Sequence, residues 1–427
     1  MFMKNLFLRF AIFCSALAMA SPAMAEGFAL YEYSARSIAL GGATMARKPD
    51  PSVLATNPAT ITRLEGLQFQ TGLSVISPRG RMTGTDMSGQ SFNVHLKDSI
   101  WPVPNFYYTH KLNDRVAIGV GQFSRFGLGF EYPNNWPGRF NVYEVELQTL
   151  SLNPNVAVAV TDELSVAAGV EVMYTNLNLR KRVAVNHPVF GKLAEVDSNI
   201  IDADSFGYGF NLATHYQFND QWAAGLAYRS SVYLKNEGRV EYSLKENKAG
   251  AMGQKIFDDN FPNGGAMGRV HLPESVSGGV SYSPTKDLSV EVGGIWTRWS
   301  RFDALDIHLR EQGRVAESPK NWKNTWRFNT GVEYQALDWL ALRAGFVWDQ
   351  SPMTEEYEDY LVPTDGRQIY SVGAGFTYDA WTFDVAYALI NAKGRKYSEA
   401  YADRSLLESE AKSTYTDIVS FSMGYKF

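Results

Sequence analysis

Few residues in this chain have types and spacings that could support chemistry. Six histidines are present, His95, His110, His187, His215, His271 and His308, and none stands in the H-E-x-x-H spacing that binds zinc from one helix face. No G-x-S-x-G elbow occurs to raise a nucleophilic serine. The chain therefore reads as a non-enzyme with no cofactor and no metal site. Three arginines are more informative. Arg125 falls on the parity of Gly119 and Gly121, Arg229 on that of Gly225, and Arg327 alternates with Trp326 and Phe328. A guanidinium on the small-residue face of a strand is a permanent charge that can fork onto an anion. It serves equally to pair with an acid on the same face, such as Glu171, Glu291 or Asp384.

The elements carrying these arginines alternate with a period of two. In the last segment Val419, Phe421, Met423, Tyr425 and Phe427 share one face, and Ser420, Ser422, Gly424 and Lys426 the other. The split recurs over residues 381–389, 370–378 and 164–172. Fourteen strands are expected, near 66–77, 103–112, 115–130, 143–160, 163–180, 205–218, 221–233, 271–283, 288–300, 324–335, 339–348, 367–378, 381–390 and 414–427. Short polar turns such as Asn113-Asp114, Asn219-Asp220 and Asp379-Ala380 join them in pairs. The other connections are long: 78–102, 131–142, 181–204, 234–270, 301–323, 349–366 and 391–413.

Strict alternation of short and long connections with an even strand number puts the long loops on one side and both mature termini on the other. That is the plan of an all-β, 14-stranded antiparallel transmembrane β-barrel over residues 65–427. A mean hydropathy of -0.23 fits, because polar-in and apolar-out residues cancel in the average. Trp222, Trp296, Trp299, Trp339, Trp348 and Trp381 near strand ends suit interfacial girdles.

Residues 1–25 read as a secretory signal, with Lys4 and Arg9 ahead of an apolar core and Ala23-Met24-Ala25 as the cleavage site. Its removal takes away the only cysteine, Cys14, and leaves 38 basic against 45 acidic residues, which gives no support to nucleic-acid binding. Residues 26–64 are not a strand. Phe28, Leu30, Tyr31, Tyr33, Ile38 and Leu40 make this stretch too apolar for a solvated tail, so it is expected to plug the lumen. Asn57-Pro58-Ala59 is expected to be the plug's structural rear turn, with the front, 28–33, as its mobile part. In the third strand Gly127 and Gly129 interrupt the alternation after Arg125 and Phe126, which suggests a kink and a lateral gap. Asn153-Pro154-Asn155 on the neighbouring strand loses a ladder donor, which favours a gap between the third and fourth strands.

Three stretches carry a family resemblance. Gly27-Phe28 through Gly41-Gly42 to Asn57-Pro58-Ala59 is similar to the plug of the FadL-type outer-membrane transporters of long-chain fatty acids and other hydrophobic compounds. Residues 124–140 resemble the third strand and following loop of that family, and Leu272-Pro273-Glu274-Ser275 and 321–328 resemble two later strand starts. The resemblance implies location in the bacterial outer membrane and passive uptake of a long-chain fatty acid or similar compound. Ligand would be captured between long loops, pass to an internal site gated by the N-terminal segment, and leave sideways at the kinked third strand. It further implies ligand or gate roles for Phe28, Leu30, Tyr31, Phe126, Gly127 and Gly129, with Arg125, Arg229 and Arg327 as candidates for a carboxylate headgroup. Outer-membrane lipid and lipopolysaccharide are the expected surroundings. A general diffusion porin, or a surface adhesin or receptor on the same barrel, is the alternative function.

Overall fold

The computed structural model describes residues 27–398, 405–412 and 414–427, so the expected signal segment lies outside the described residues. Alternating residues build a ring of 14 antiparallel strands in one sheet. These are β1 (Leu67–Arg79), β2 (Trp101–Lys111), β3 (Val116–Phe123, resuming at Gly127–Glu131) and β4 (Glu144–Ala159). Next come β5 (Leu164–His187), β6 (Gly191–Gln217), β7 (Trp222–Arg229, resuming at Val232–Asn247) and β8 (Gly264–Leu272, resuming at Ser275–Tyr282). The ring continues through β9 (Leu288–Thr297), β10 (Thr325–Leu337), β11 (Leu340–Asp349), β12 (Thr364–Tyr378), β13 (Trp381–Gly394) and β14 (Thr414–Lys426).

The ring closes where β1 pairs with β14, from Gln68 opposite Lys426 to Arg79 opposite Tyr415. Closure matters because an unpaired backbone amide in hydrocarbon costs several kcal/mol. The parity read from sequence holds at the seam: Val419 and Phe421 are exposed, whereas Ser420 and Ser422 are buried inside.

Two expectations about the loops are corrected. Residues 181–204 were expected to be a loop but continue β5 and β6 as a long hairpin that turns at residues 188–190. The 234–270 connection likewise holds the outer part of β7, a helix (Ala251–Asn260) and the outer part of β8. Strands need only about 9–11 residues to cross a bilayer, so these extensions stand above it, where the outward face no longer has to be apolar. Trp299 is a third correction. It is fully buried rather than interfacial, because the chain leaves β9 and turns into the lumen there.

Residues 27–64 lie against the inward faces of strands around the ring. A short helix (Ala35–Ala39) starts at Ser34, whose hydroxyl accepts from the Ser37 amide. Two 3-10 turns follow, Pro51–Ala55 capped by Asp50 and Pro58–Arg63 capped by Asn57. Close approach needs small wall residues: a Cβ at Gly345 would stand 2.3 Å from the Gly41 nitrogen.

Charged groups help to hold the segment. Glu291 of β9, fully buried, accepts from the amides of Met45 (2.6 Å), Ala46 (3.0 Å) and Arg47 (3.0 Å). Arg36 forks onto Glu333 at 2.9 Å through both Nε and Nη2, and Arg343 links Glu333 to Asp384. Replacing Glu291 by alanine strands three amides and the Arg47 charge, a loss of roughly 3–5 kcal/mol for a broken buried pair. The variant is expected to keep a heat-modifiable barrel on gels yet conduct ions in planar bilayers. A barrel that stays tight would mean the segment is anchored elsewhere.

Candidate functional site

The site begins with a defect in the wall. β2 pairs with β1 along Trp101 to His110, but with β3 only from Phe106 opposite Gln122 downward. Above that level the β3-facing edge of β2 is unpaired. Prolines at alternate positions, Pro102 and Pro104, explain why: neither has an N–H, and because the ladder to β1 is intact, the missing donors fall on the side of β3. On the other side of β3 the ladder to β4 survives the kink. Phe123 faces Ser151 and Gly127 faces Gln148, so Ser124, Arg125 and Phe126 stand opposite only Leu150 and Thr149. That is a β-bulge, and hydroxyls replace the lost ladder bonds. Ser124 Oγ donates to the Thr149 carbonyl (2.6 Å), and Thr149 Oγ1 serves both the amide (3.2 Å) and the carbonyl (2.6 Å) of Phe126.

The gap therefore lies between the second and third strands, not between the third and fourth as expected. Pro154 leaves the β3–β4 ladder intact, in register with Val120; on its other side the β4–β5 ladder skips Asn153 and Pro154, and Asn153 Nδ2 donates to the Val170 carbonyl at 2.6 Å, restoring a link to β5.

The N-terminal tip occupies the edge that β2 leaves free. The Leu30 amide donates to the Arg125 carbonyl (2.8 Å) and the Gly127 amide to the Phe28 carbonyl (2.9 Å), so Ala29 and Phe126 form an antiparallel bridge. Phe28 then projects into a cage of rings, with centroids 4.9 Å from Trp299, 5.4 Å from Phe302, 5.7 Å from Trp322 and 6.1 Å from Phe126. Beside the tip is a cavity of about 480 Å³ whose walls include Leu30, Trp101, Pro104, Phe126, Gly127 and Gly129. The two glycines thin that wall: a Cβ at Gly127 would meet Leu30 at 2.6 Å, and one at Gly129 would meet Trp101 at 2.4 Å. Phe28, Leu30, Phe126, Gly127 and Gly129 are thus brought together.

The arginines are placed differently. Arg125 reaches Glu171 at 2.7 Å, and Arg229 donates to the Leu54 carbonyl (2.7 Å) and Asn153 Oδ1 (3.2 Å). Arg327 pairs with Asp349 at 3.1 Å and lies 4.0 Å over the Tyr31 ring. Arg125 and Arg327 are thus paired with carboxylates, whereas Arg229 is held by neutral acceptors. Asn57, Pro58 and Ala59 form a structural turn: Asn57 Nδ2 donates to the carbonyls of Met45 (2.7 Å) and Thr214 (3.0 Å), tying the segment to β6.

A second cavity, about 460 Å³, sits among the outer extensions and loops. Leu179, Val183, Ile200, Phe261 and Ile307 give it apolar walls, and Lys181 and Lys320 add ammonium groups. Lys320 is paired with Asp359, whereas Lys181 has no ion-pair partner among the described residues. Burial, and secondarily Lys320, push the Lys181 ammonium below the usual lysine range. Sequence reading missed Lys181 because its strand was taken for a loop. The alternation of Leu177, Leu179, Lys181 and Val183 was the available signal.

Phe28→Ala would empty the ring cage, at about 3–5 kcal/mol for a buried phenylalanine. Amide hydrogen exchange at Ala29 and Leu30 is expected to quicken while exchange at Met45 to Arg47 stays slow. Equal protection of both groups in the variant would mean that the ring does not hold the tip.

With this geometry in hand, comparison with known proteins is specific. The profile of a family described as outer membrane protein transport protein (OMPP1/FadL/TodX) matches residues 16–427. Outer membrane protein P1 of Haemophilus influenzae is 26% identical over 460 residues, covering 96% of this chain and 97% of that protein. The long-chain fatty acid transport protein of Escherichia coli is 25% identical over 438 residues, again covering 96% and 97%. Among solved structures, a Pseudomonas aeruginosa FadL homologue superposes with a TM-score of 0.84 at 20% identity, covering 94% of this chain and 100% of that one. The Pseudomonas putida toluene transporter TodX gives 0.73 at 18% identity, covering 93% and 99%. The two structures share the fold.

Proposed function

The chain belongs to the OMPP1/FadL/TodX family of outer membrane transport proteins, and from that premise we propose that it takes up long-chain fatty acids, or similar amphiphiles, by a gated lateral route. That it is an outer-membrane transporter of hydrophobic compounds, and not an enzyme, follows from the family itself. The finer reading rests above all on one observation: the N-terminal tip is bridged to the unpaired edge of β3, at the gap in the wall.

Cargo first enters the outer cavity, where the apolar walls take the chain and Lys181 takes the carboxylate. It passes to the inner cavity beside Phe28 and Leu30. Residues 27–64 act as the hatch, fixed at the rear by Glu291 and Asn57 and movable at the front. When the tip peels from β3, the gap between β2 and β3 opens to lipid. Burying some 14 methylenes at ~0.8 kcal/mol each amounts to about 11 kcal/mol gross, and even after association costs release from a rigid site would be slow. A moving tip lowers that barrier, since the tip gives up only two backbone bonds of about 0.5–1.5 kcal/mol net each and its ring packing. The occupied lumen argues against a general diffusion porin.

Gly127→Val with Gly129→Val would press on Leu30 and Trp101 and fill the inner cavity. Uptake of labelled oleate by cells carrying this assembled barrel is expected to fall at least tenfold, and unchanged uptake would refute the lateral route. Headgroup capture has a separate signature. Because the Lys181 charge is lost below the usual lysine pKa of 10.5, oleate binding to the purified protein is expected to weaken as pH rises into that depressed range. Lys181→Met should bind more weakly at neutral pH and lose this dependence. A Lys181→Met profile that tracks the parent would assign the headgroup elsewhere.

A further inference from the structure

We infer that Glu171, which touches neither the gap nor the tip, is a positioning residue that holds both through Arg125. The inference rests on the lateral route proposed above for its functional meaning, though not for its geometry. In a barrel strand successive side chains point to opposite faces, yet Arg125 and Phe126 are both buried, at 4% and 3% exposure. The bulge breaks that alternation and bends the strand, which carries both side chains into enclosed positions. What draws it there is the Arg125 side chain, which passes over the inward face of β4 to reach Glu171 on β5 at 2.7 Å. Both side chains are almost wholly enclosed, Arg125 at 4% and Glu171 at 0%. Arg125 Nη1 and Nη2 also stand 3.5 Å from the Ser230 carbonyl, at the break in β7.

The bond therefore runs as a chord across the curved wall, from the third strand to the fifth, and not along a ladder. A buried pair of this kind makes an effective tether, because losing one partner leaves the other charge enclosed without compensation. The same residue carries the docking group of the hatch: the Arg125 backbone carbonyl accepts the Leu30 amide. One carboxylate thus sets the depth of the kink, the width of the gap beside β2 and the place where the tip lands. Glu171 lines neither cavity, so its removal changes no surface that cargo would touch.

The test measures the wall directly. The chain's only cysteine is Cys14, in the expected signal segment, so introduced cysteines can be labelled uniquely in the exported protein. Spin labels at Leu73→Cys on β1 and Leu128→Cys on β3 report the width of the gap by double electron–electron resonance in lipid nanodiscs. A control pair, Leu73→Cys with Val385→Cys, spans the unbroken seam through β14. In Glu171→Gln the kink is expected to relax toward β2, shortening the first distance by about 3–5 Å, up to one interstrand spacing, with the control distance and heat-modifiability unchanged. Exchanging the partners, Arg125→Glu with Glu171→Arg, should return the distance toward that of the parent. A parental distance in Glu171→Gln overturns the tether, and so does an exchanged pair that leaves the distance short. Oleate uptake is read in the same variants. A shortened gap with unaltered uptake would leave the tether standing and remove the lateral route.

Discussion

Every backbone amide at membrane depth must find a partner inside the protein, and this constraint governs the whole molecule. It forces the ring to close between β1 and β14. It also makes the interruption between β2 and the bent part of β3 a feature that must be built and not merely tolerated. Three devices reduce its cost. Pro102 and Pro104 have no donor to leave unpaired, Thr149 and Ser124 rebuild the bulge bonds with hydroxyls, and the N-terminal tip pairs with the remaining edge. The gap is thus a missing stretch of strand pairing, filled by the chain's own beginning.

Charge is divided by depth in a consistent way. Inside the lumen, guanidiniums meet carboxylates: Arg36 with Glu333, Arg47 with Glu291, Arg125 with Glu171 and Arg327 with Asp349. These pairs tie the N-terminal segment to the wall and the strands of the wall to one another. Lys181, which has no ion-pair partner among the described residues, is in the outer cavity.

The barrel was legible in the sequence because its signals are local: parity along each strand, and polar turns between alternate strands. Parity failed where strands leave the membrane. The expected strand ends at residue 180, where the outward face has turned polar with Asn178, Arg180 and Arg182, so Lys181 falls in the expected loop. The kink was readable from Gly127 and Gly129, but its partner was not. Pro154 suggests disruption and is compensated by the Asn153 side chain, whereas the decisive prolines, Pro102 and Pro104, sit just before and just inside the expected start of the second strand at residue 103. Which acid each lumen arginine meets depends on contacts across the ring, and sequence could only offer the set that included Glu171.

The most direct test of the central claim is to lock the tip. Ala29 and Phe126 form a non-hydrogen-bonded antiparallel pair, where Cα atoms lie about 4.5 Å apart, within the range a disulfide spans. Cysteines at both positions should cross-link in the oxidising periplasm. If the tip must leave β3 for cargo to pass, oleate uptake is lost in the oxidised barrel and returns on reduction. Full uptake through the cross-linked barrel would contradict a gate formed by this bridge.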